Sequence, residues 1–142
     1  MSDTVVDSSV VAKWILPEAD SAQAQRLITD VAGAGERLIV LDLVFPEVAN
    51  AIWKRHRNRL ITVAEAEAFL AALGRAPVHV EGAIRLLDAA FKIAVRYDRA
   101  VYDALFVALA HDLGLIGVTA DEPLYNVVRT DYPEIALLRN WP

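Results

Sequence analysis

Short apolar or β-branched runs, each leading into a longer segment of helical periodicity, constrain the fold of this chain more than any other feature. The runs fall at residues 4–6, 38–41, 78–80, 117–119 and 135–138. Between them lie segments with apolar residues at helical spacing: 8–16, stopped by Pro17; 47 to about 57, with Pro46 at its opening; 84 to about 95; 102–113, ended by Gly114; and 121–128. Asp20-Ser21 is placed to cap a further helix running to about residue 34. Thr62, followed three residues later by Glu65, forms a capping-box pattern that opens a helix through residue 73. Proline is tolerated in a first turn and glycine closes a helix readily, so the punctuation agrees with the periodicity.

Strands alternating with helices predict repeated β–α units. The expected architecture is an α/β three-layer sandwich, with a mainly parallel central sheet and helices on both faces. Residues 19–75 are helix-rich with only one strand, so the extra helices are expected to form a clip or a dimerisation surface. No internal repeat or linker-like break interrupts the chain, and residues 1–142 read as one domain.

Hydrophobic residues make up 56% of the 142, and charged residues 23%, which argues against disorder and provides for a real core. The apolar stretches are too short to span a bilayer, and the amino end lacks a basic segment feeding an apolar one. A soluble, cytoplasmic protein without membrane attachment is expected. With no cysteine, any metal is held by oxygen or imidazole, which favours Mg²⁺ or Mn²⁺ over zinc. The net charge of −5 counts against a broad nucleic-acid surface, though not against a phosphodiester substrate meeting a bound cation.

Four acids sit where these runs give way to helices: Asp7, Glu47, Asp103 and Asp121. Singly, each has an ordinary explanation, because a carboxylate at a helix start accepts free N–H groups and complements the dipole. Jointly they mean more. In an open parallel sheet, ligands bind beyond the carboxyl ends of the strands, where strand order reverses. Carboxylates gathered there repel one another unless a cation intervenes, and a divalent metal both relieves that repulsion and activates water. Apart from Arg99, four residues before Asp103, no Lys or Arg lies beside Asp7, Asp103 or Asp121, so the cluster reads as unsatisfied without metal.

These residues also carry a family resemblance. Val5-Val6-Asp7-Ser8-Ser9-Val10-Val11-Ala12-Lys13-Trp14 resembles the opening strand and helix of PIN-domain ribonucleases. Phe45-Pro46-Glu47-Val48-Ala49-Asn50-Ala51 resembles their second motif, the stretch from Tyr102-Asp103 to Leu109-Ala110 the third, and Val118-Thr119-Ala120-Asp121 the fourth. Size, order and spacing are similar to VapC-type toxins of toxin–antitoxin pairs. The resemblance implies a PIN-like fold and an Mg²⁺- or Mn²⁺-dependent endoribonuclease, with Asp7, Glu47, Asp103 and Asp121 as catalytic and metal-binding acids. Asp7 and Asp103 would be direct ligands. Glu47 and Asp121 would act through water or hold a second metal. It further implies an RNA substrate, a cognate antitoxin and a homodimer. Ser8 and Thr119 are hydroxyls that would fix the carboxylates, although for Ser8 the ordinary helix-start reading is preferred. Asn50, one turn after Glu47, points to the same site or is simply solvated. Asp98 reads as a cap for the helix containing Asp103.

Other chemistries fit less well. The run from Lys54 to Arg59 lies at a helix end where cations are favoured anyway; the sharper alternative is an RNA or partner contact. His56, His79 and His111 share no ligand spacing. Trp14 and Trp53 read as core or interface residues. An aspartate-based phosphotransferase or phosphatase usually has a second Asp two residues after the first, where Ser9 stands. A receiver-type module needs a late lysine, and none follows Lys92. A non-catalytic or regulatory binding module of the same fold, its acids all caps, stays open.

Overall fold

The computed structural model describes residues 2–142. Five strands, β1 (Thr4–Val6), β2 (Leu38–Leu41), β3 (Val78–Glu81), β4 (Ile116–Thr119) and β5 (Ile135–Leu137), form one sheet in the order β3-β2-β1-β4-β5. Every pairing is parallel, with Val5 opposite both Ile39 and Gly117, and Gly117 opposite Ile135. β1, β2 and most of β4 are buried, as expected of strands covered on both faces.

Among the described residues, seven α-helices cover the sheet: α1 (Ser8–Ile15), α2 (Ser21–Gly33), α3 (Val44–Arg57), α4 (Val63–Gly74), α5 (Leu87–Tyr97), α6 (Val101–Leu113) and α7 (Glu122–Val128). The chain steps outward from β1 through β2 to β3, then crosses back to β4 and on to β5. Right-handed crossovers therefore lay α1–α4 on one face and α5–α7 on the other. The packing agrees: α1 meets α2, α3 and α4, while α5 lies along α6. These are the three layers expected from the alternation of elements.

α6 is the keel of the second layer. Residues 104–110 are all buried, and the helix packs on β1 and β4. That approach needs Gly117: a Cβ there would stand 2.9 Å from Ala110 Cβ and 3.1 Å from Ile135 Cδ1. The glycine thus sets how near α6 lies to β4, and with it where the first turn of α6 sits over the sheet edge.

Several local expectations change. Asp20 adopts a left-handed backbone (φ 64°) and makes no capping bond; the Ser21 hydroxyl instead accepts from Glu18 N and donates to Leu16 O. α3 opens at Val44, earlier than expected, because Pro46 falls third in the helix, where its missing N–H needs no acceptor. The Thr62–Glu65 capping box is present as read. Trp14 packs inward and donates to Ala24 O at 2.8 Å, whereas Trp53 is half exposed with Arg57 stacked 4.7 Å from its ring centre.

Candidate active site

Strand order reverses at β1: β2 lies on one side and β4, reached only after two further crossovers, on the other. The ends of β1 and β4 are therefore neighbours, and the two turns that follow them meet. Asp7 follows β1, and Asp121 follows β4 by two residues.

Asp7 caps α1, as one reading of its sequence position held. Its Oδ1 accepts from Ser9 N at 3.0 Å, from Val10 N at 3.3 Å and from the Ser9 hydroxyl; its Oδ2 accepts from Thr119 Oγ1 at 2.5 Å. Each hydroxyl also accepts a backbone N–H of the turn after β4: Ser9 Oγ reaches across to Ala120 N at 2.9 Å, and Thr119 Oγ1 accepts from Asp121 N of its own turn at 3.0 Å. Four groups from two distant segments thus close one network around a single carboxylate. Burial pushes the Asp7 carboxyl up to about 6; its hydrogen bonds to Ser9, Thr119 and Val10 oppose that, and the charge on Asp121 adds to it.

Glu47, in the first turn of α3, accepts from Ser8 Oγ at 3.4 Å. Its pKa is raised by burial and by the charge of Asp103, against the Ser8 bond. Asp103, in the first turn of α6, is raised by burial and by Asp121, against Arg99. Asp7, Ser8, Glu47, Tyr102 and Asp103 line one hollow of about 20 Å³ above the apolar floor of Val5, Leu41 and Phe106. That is room for one water-sized sphere.

Asp121 lies apart from that hollow. It caps α7 by accepting from Leu124 N at 3.1 Å, and it joins Asp103 through Arg99. Arg99 Nη2 stands 3.5 Å from Asp103 Oδ2 and 3.6 Å from Asp121 Oδ2. The sequence left Arg99 as the one exception, beside Asp103 alone, and read the cluster as unsatisfied without metal; folding brings this cation to Asp121 as well, between two of the four acids. Among the described residues, no three acidic or histidine side chains are arranged to hold a metal ion as they stand. The donor set is nonetheless all carboxylate oxygen, the kind a hard divalent cation takes, and a neighbouring carboxylate adds to the upward shift of three of its members, Asp7, Glu47 and Asp103.

The domain family described as PIN domain matches residues 4–129. This chain belongs to the PIN-domain family. The relatives agree with the match. "Ribonuclease VapC3" of Pyrobaculum aerophilum is 36% identical over 122 residues, 84% of this chain and 90% of that one. A crystal structure of another protein from Pyrobaculum aerophilum superposes with a TM-score of 0.73 at 24% identity, over 98% of this PIN-domain chain and 93% of its own. VapC20 of Mycobacterium tuberculosis, a sarcin-ricin loop cleaving toxin, gives 0.59 at 22% identity, over 82% and 87%. The DNA-bound VapBC complex of Salmonella typhimurium gives 0.56 at 17%, over 96% and 97%. At these identities the three structures share the PIN fold with this chain.

The remaining residues of interest fall on either side of the site. Thr119 and Ser8 both bond carboxylates of the set, so the ordinary helix-start reading of Ser8 is incomplete. Asp98 is not a cap for α6. It closes α5 in a left-handed conformation (φ 52°), and Ala100 precedes α6 without a side-chain cap. Asn50 is exposed on α3. In the basic run, Arg55 is tied to Glu18 at 2.7 Å, while Lys54 and Arg57 make no ion pair among the described residues. Sequence reasoning missed Ser9, whose only signal was its place two residues after Asp7. It also passed over Arg99, noted only for its position four residues before Asp103.

Proposed function

We propose that this PIN domain is an endoribonuclease that hydrolyses RNA phosphodiester bonds with Mg²⁺ or Mn²⁺, and that it is the toxin of a type II toxin–antitoxin pair. The observation that carries the reading is the meeting of Asp7, Glu47 and Asp103, from three separate segments, around one small hollow where strand order reverses. The kinship to a ribonuclease VapC supports RNA as the substrate.

Asp7, Glu47, Asp103 and Asp121 are the residues that would hold the metal. Bound there, the ion would lower the pKa of a water and neutralise charge on the phosphate oxygens. The chain's own part is positional. Ser9 and Thr119 fix both oxygens of Asp7 through hydrogen bonds from opposite turns. Ser8 orients Glu47, whose raised pKa makes it a better proton acceptor than an ordinary carboxylate, and Oε1, free of the Ser8 bond, is the atom placed to take a proton from the attacking water.

Residues 1–142 act as one catalytic domain in this reading, in the cytoplasm where RNA is met. Among the described residues, no helix is long and apolar enough to cross a membrane. The partner is a cognate antitoxin whose tail reaches the acidic groove with a basic side chain; the VapBC complex among the structural relatives supports such a pairing. A homodimer is supported by an exposed apolar stripe, Ile84, Leu87, Phe91 and Val95, along one face of α5 and the turn before it.

The competing reading, a binding module whose acids serve only as caps, draws on the capping bonds that Asp7 and Asp121 do make. Incubation of the purified protein with a structured RNA separates the two. The nuclease cleaves with Mg²⁺ or Mn²⁺ and stops in EDTA, and a protein that binds RNA without cutting it in either metal is the module.

A further inference from the structure

Arg99 does not make the contacts expected of a stabilising arginine. It follows the left-handed Asp98 that turns the chain out of α5, and its side chain is only 24% exposed. One atom, Nη2, faces two carboxylates from different segments, Asp103 in the first turn of α6 and Asp121 at the cap of α7. Both distances, 3.5 and 3.6 Å, exceed the ~2.9 Å of a charge-assisted hydrogen bond, so neither pair has the two-pronged geometry that makes such contacts strong. Nε is buried and has no hydrogen-bond partner among the described residues. A guanidinium held between two acids at long range, with a donor left over, is well placed for charge and poorly tied by hydrogen bonds.

We infer that Arg99 is the site's resident counter-cation: it holds Asp103 and Asp121 together in the metal-free protein and competes with the divalent ion for them. Arg99 is thus a positioning residue that sets how tightly the metal binds. The inference rests on the metal-dependent reading above. Loading the ion replaces two long ionic contacts by ligation, and Arg99 must withdraw or share its partners. Removing its charge leaves the two acids unneutralised, which disfavours the empty site and favours the filled one.

The test is Mn²⁺ binding measured by titration calorimetry on purified wild-type protein and on Arg99→Gln, Arg99→Met and Arg99→Lys, with no RNA present. Arg99→Met retains the packing of the stem should Arg99→Gln fail to fold. Loss of two partly exposed ion pairs predicts about threefold to tenfold tighter Mn²⁺ binding by the Gln and Met variants. Arg99→Lys stays within about twofold of wild type, because the charge is kept. In EDTA the Gln and Met variants melt below wild type, and saturating Mn²⁺ closes the gap. Equal or weaker Mn²⁺ binding by both neutral variants, with wild type binding normally, overturns the inference and leaves Arg99 a structural clamp. Absence of Mn²⁺ binding by wild type itself overturns the metal-dependent reading, and the inference with it.

Discussion

Thr119, the last residue of β4, donates a 2.5 Å hydrogen bond to Asp7, the residue after β1. The two lie 112 positions apart in sequence and meet only because β1 and β4 pair in parallel, with Val6 opposite Val118. The bond joins the sheet's central pairing to the carboxylate on which the proposed chemistry depends, and the same hydroxyl accepts from Asp121 N.

Thr119→Val keeps the shape of the side chain and removes that donor. Asp7 then loses the Thr119 bond that holds its pKa down, and a partly buried carboxylate is left short of a partner. The expected cost is about 1–3 kcal/mol of stability at neutral pH, read by urea denaturation. RNA cleavage falls with it, and Thr119→Ser restores most of both.

The raised pKa of Asp7 sets a pH dependence of the metal-free protein. Its folded value, about 6, lies above the unfolded 3.8, so the folded state binds the proton more tightly. Stability from this group is therefore fully present below the unfolded value and is lost as pH rises through the folded one. Glu47 and Asp103 are shifted in the same direction. Stability in EDTA should fall between about pH 4 and pH 6, with roughly 2–3 kcal/mol from Asp7. Asp7→Asn flattens this slope. Unchanged denaturation midpoints across that range would contradict the account.

How much of this was legible in the sequence follows from which distances in the chain had to close. The strands and helices came from local periodicity, and Asp7, Glu47 and Asp103 from their places at helix starts. The layers followed once β–α alternation was read as a parallel sheet. Arg99 was not legible as a neutralising cation because its second partner, Asp121, is brought to it by the crossover of α6 and by the register of β4. Ser9 escaped for a similar reason: its bond to Ala120 N exists only where the two turns meet. Asp98 was misplaced because one residue between two helices can close the first or open the second, and only its left-handed backbone decides.

The exposed face of α3 offers two cations that make no ion pair among the described residues, Lys54 and Arg57, with Trp53 beneath the Arg57 guanidinium. If RNA crosses this face, the paired substitution Lys54→Ala with Arg57→Ala raises KM about tenfold, leaves kcat nearly unchanged and lessens the salt dependence of binding by about one to two released ions. An unaltered KM and salt slope would remove the helix face from the substrate path.

The apolar stripe of α5 gives the proposed homodimer its test. Phe91→Glu puts a charge in the middle of Ile84, Leu87 and Val95, and sedimentation should show a monomer in place of the dimer proposed for wild type. The fold should survive, since Phe91 is exposed in the monomer. A wild type that sediments as a monomer at high concentration would assign that stripe elsewhere.

The central claim is that the acids meeting at the strand switch form a metal-dependent RNA-cleaving site. It is tested most directly by following Mn²⁺ binding and RNA cleavage together in Asp7→Asn and Asp103→Asn. Both activities should fall together, with cleavage reduced by at least about a hundredfold while the fold persists. Full cleavage by Asp7→Asn, or wild-type cleavage undiminished in EDTA, would contradict the account.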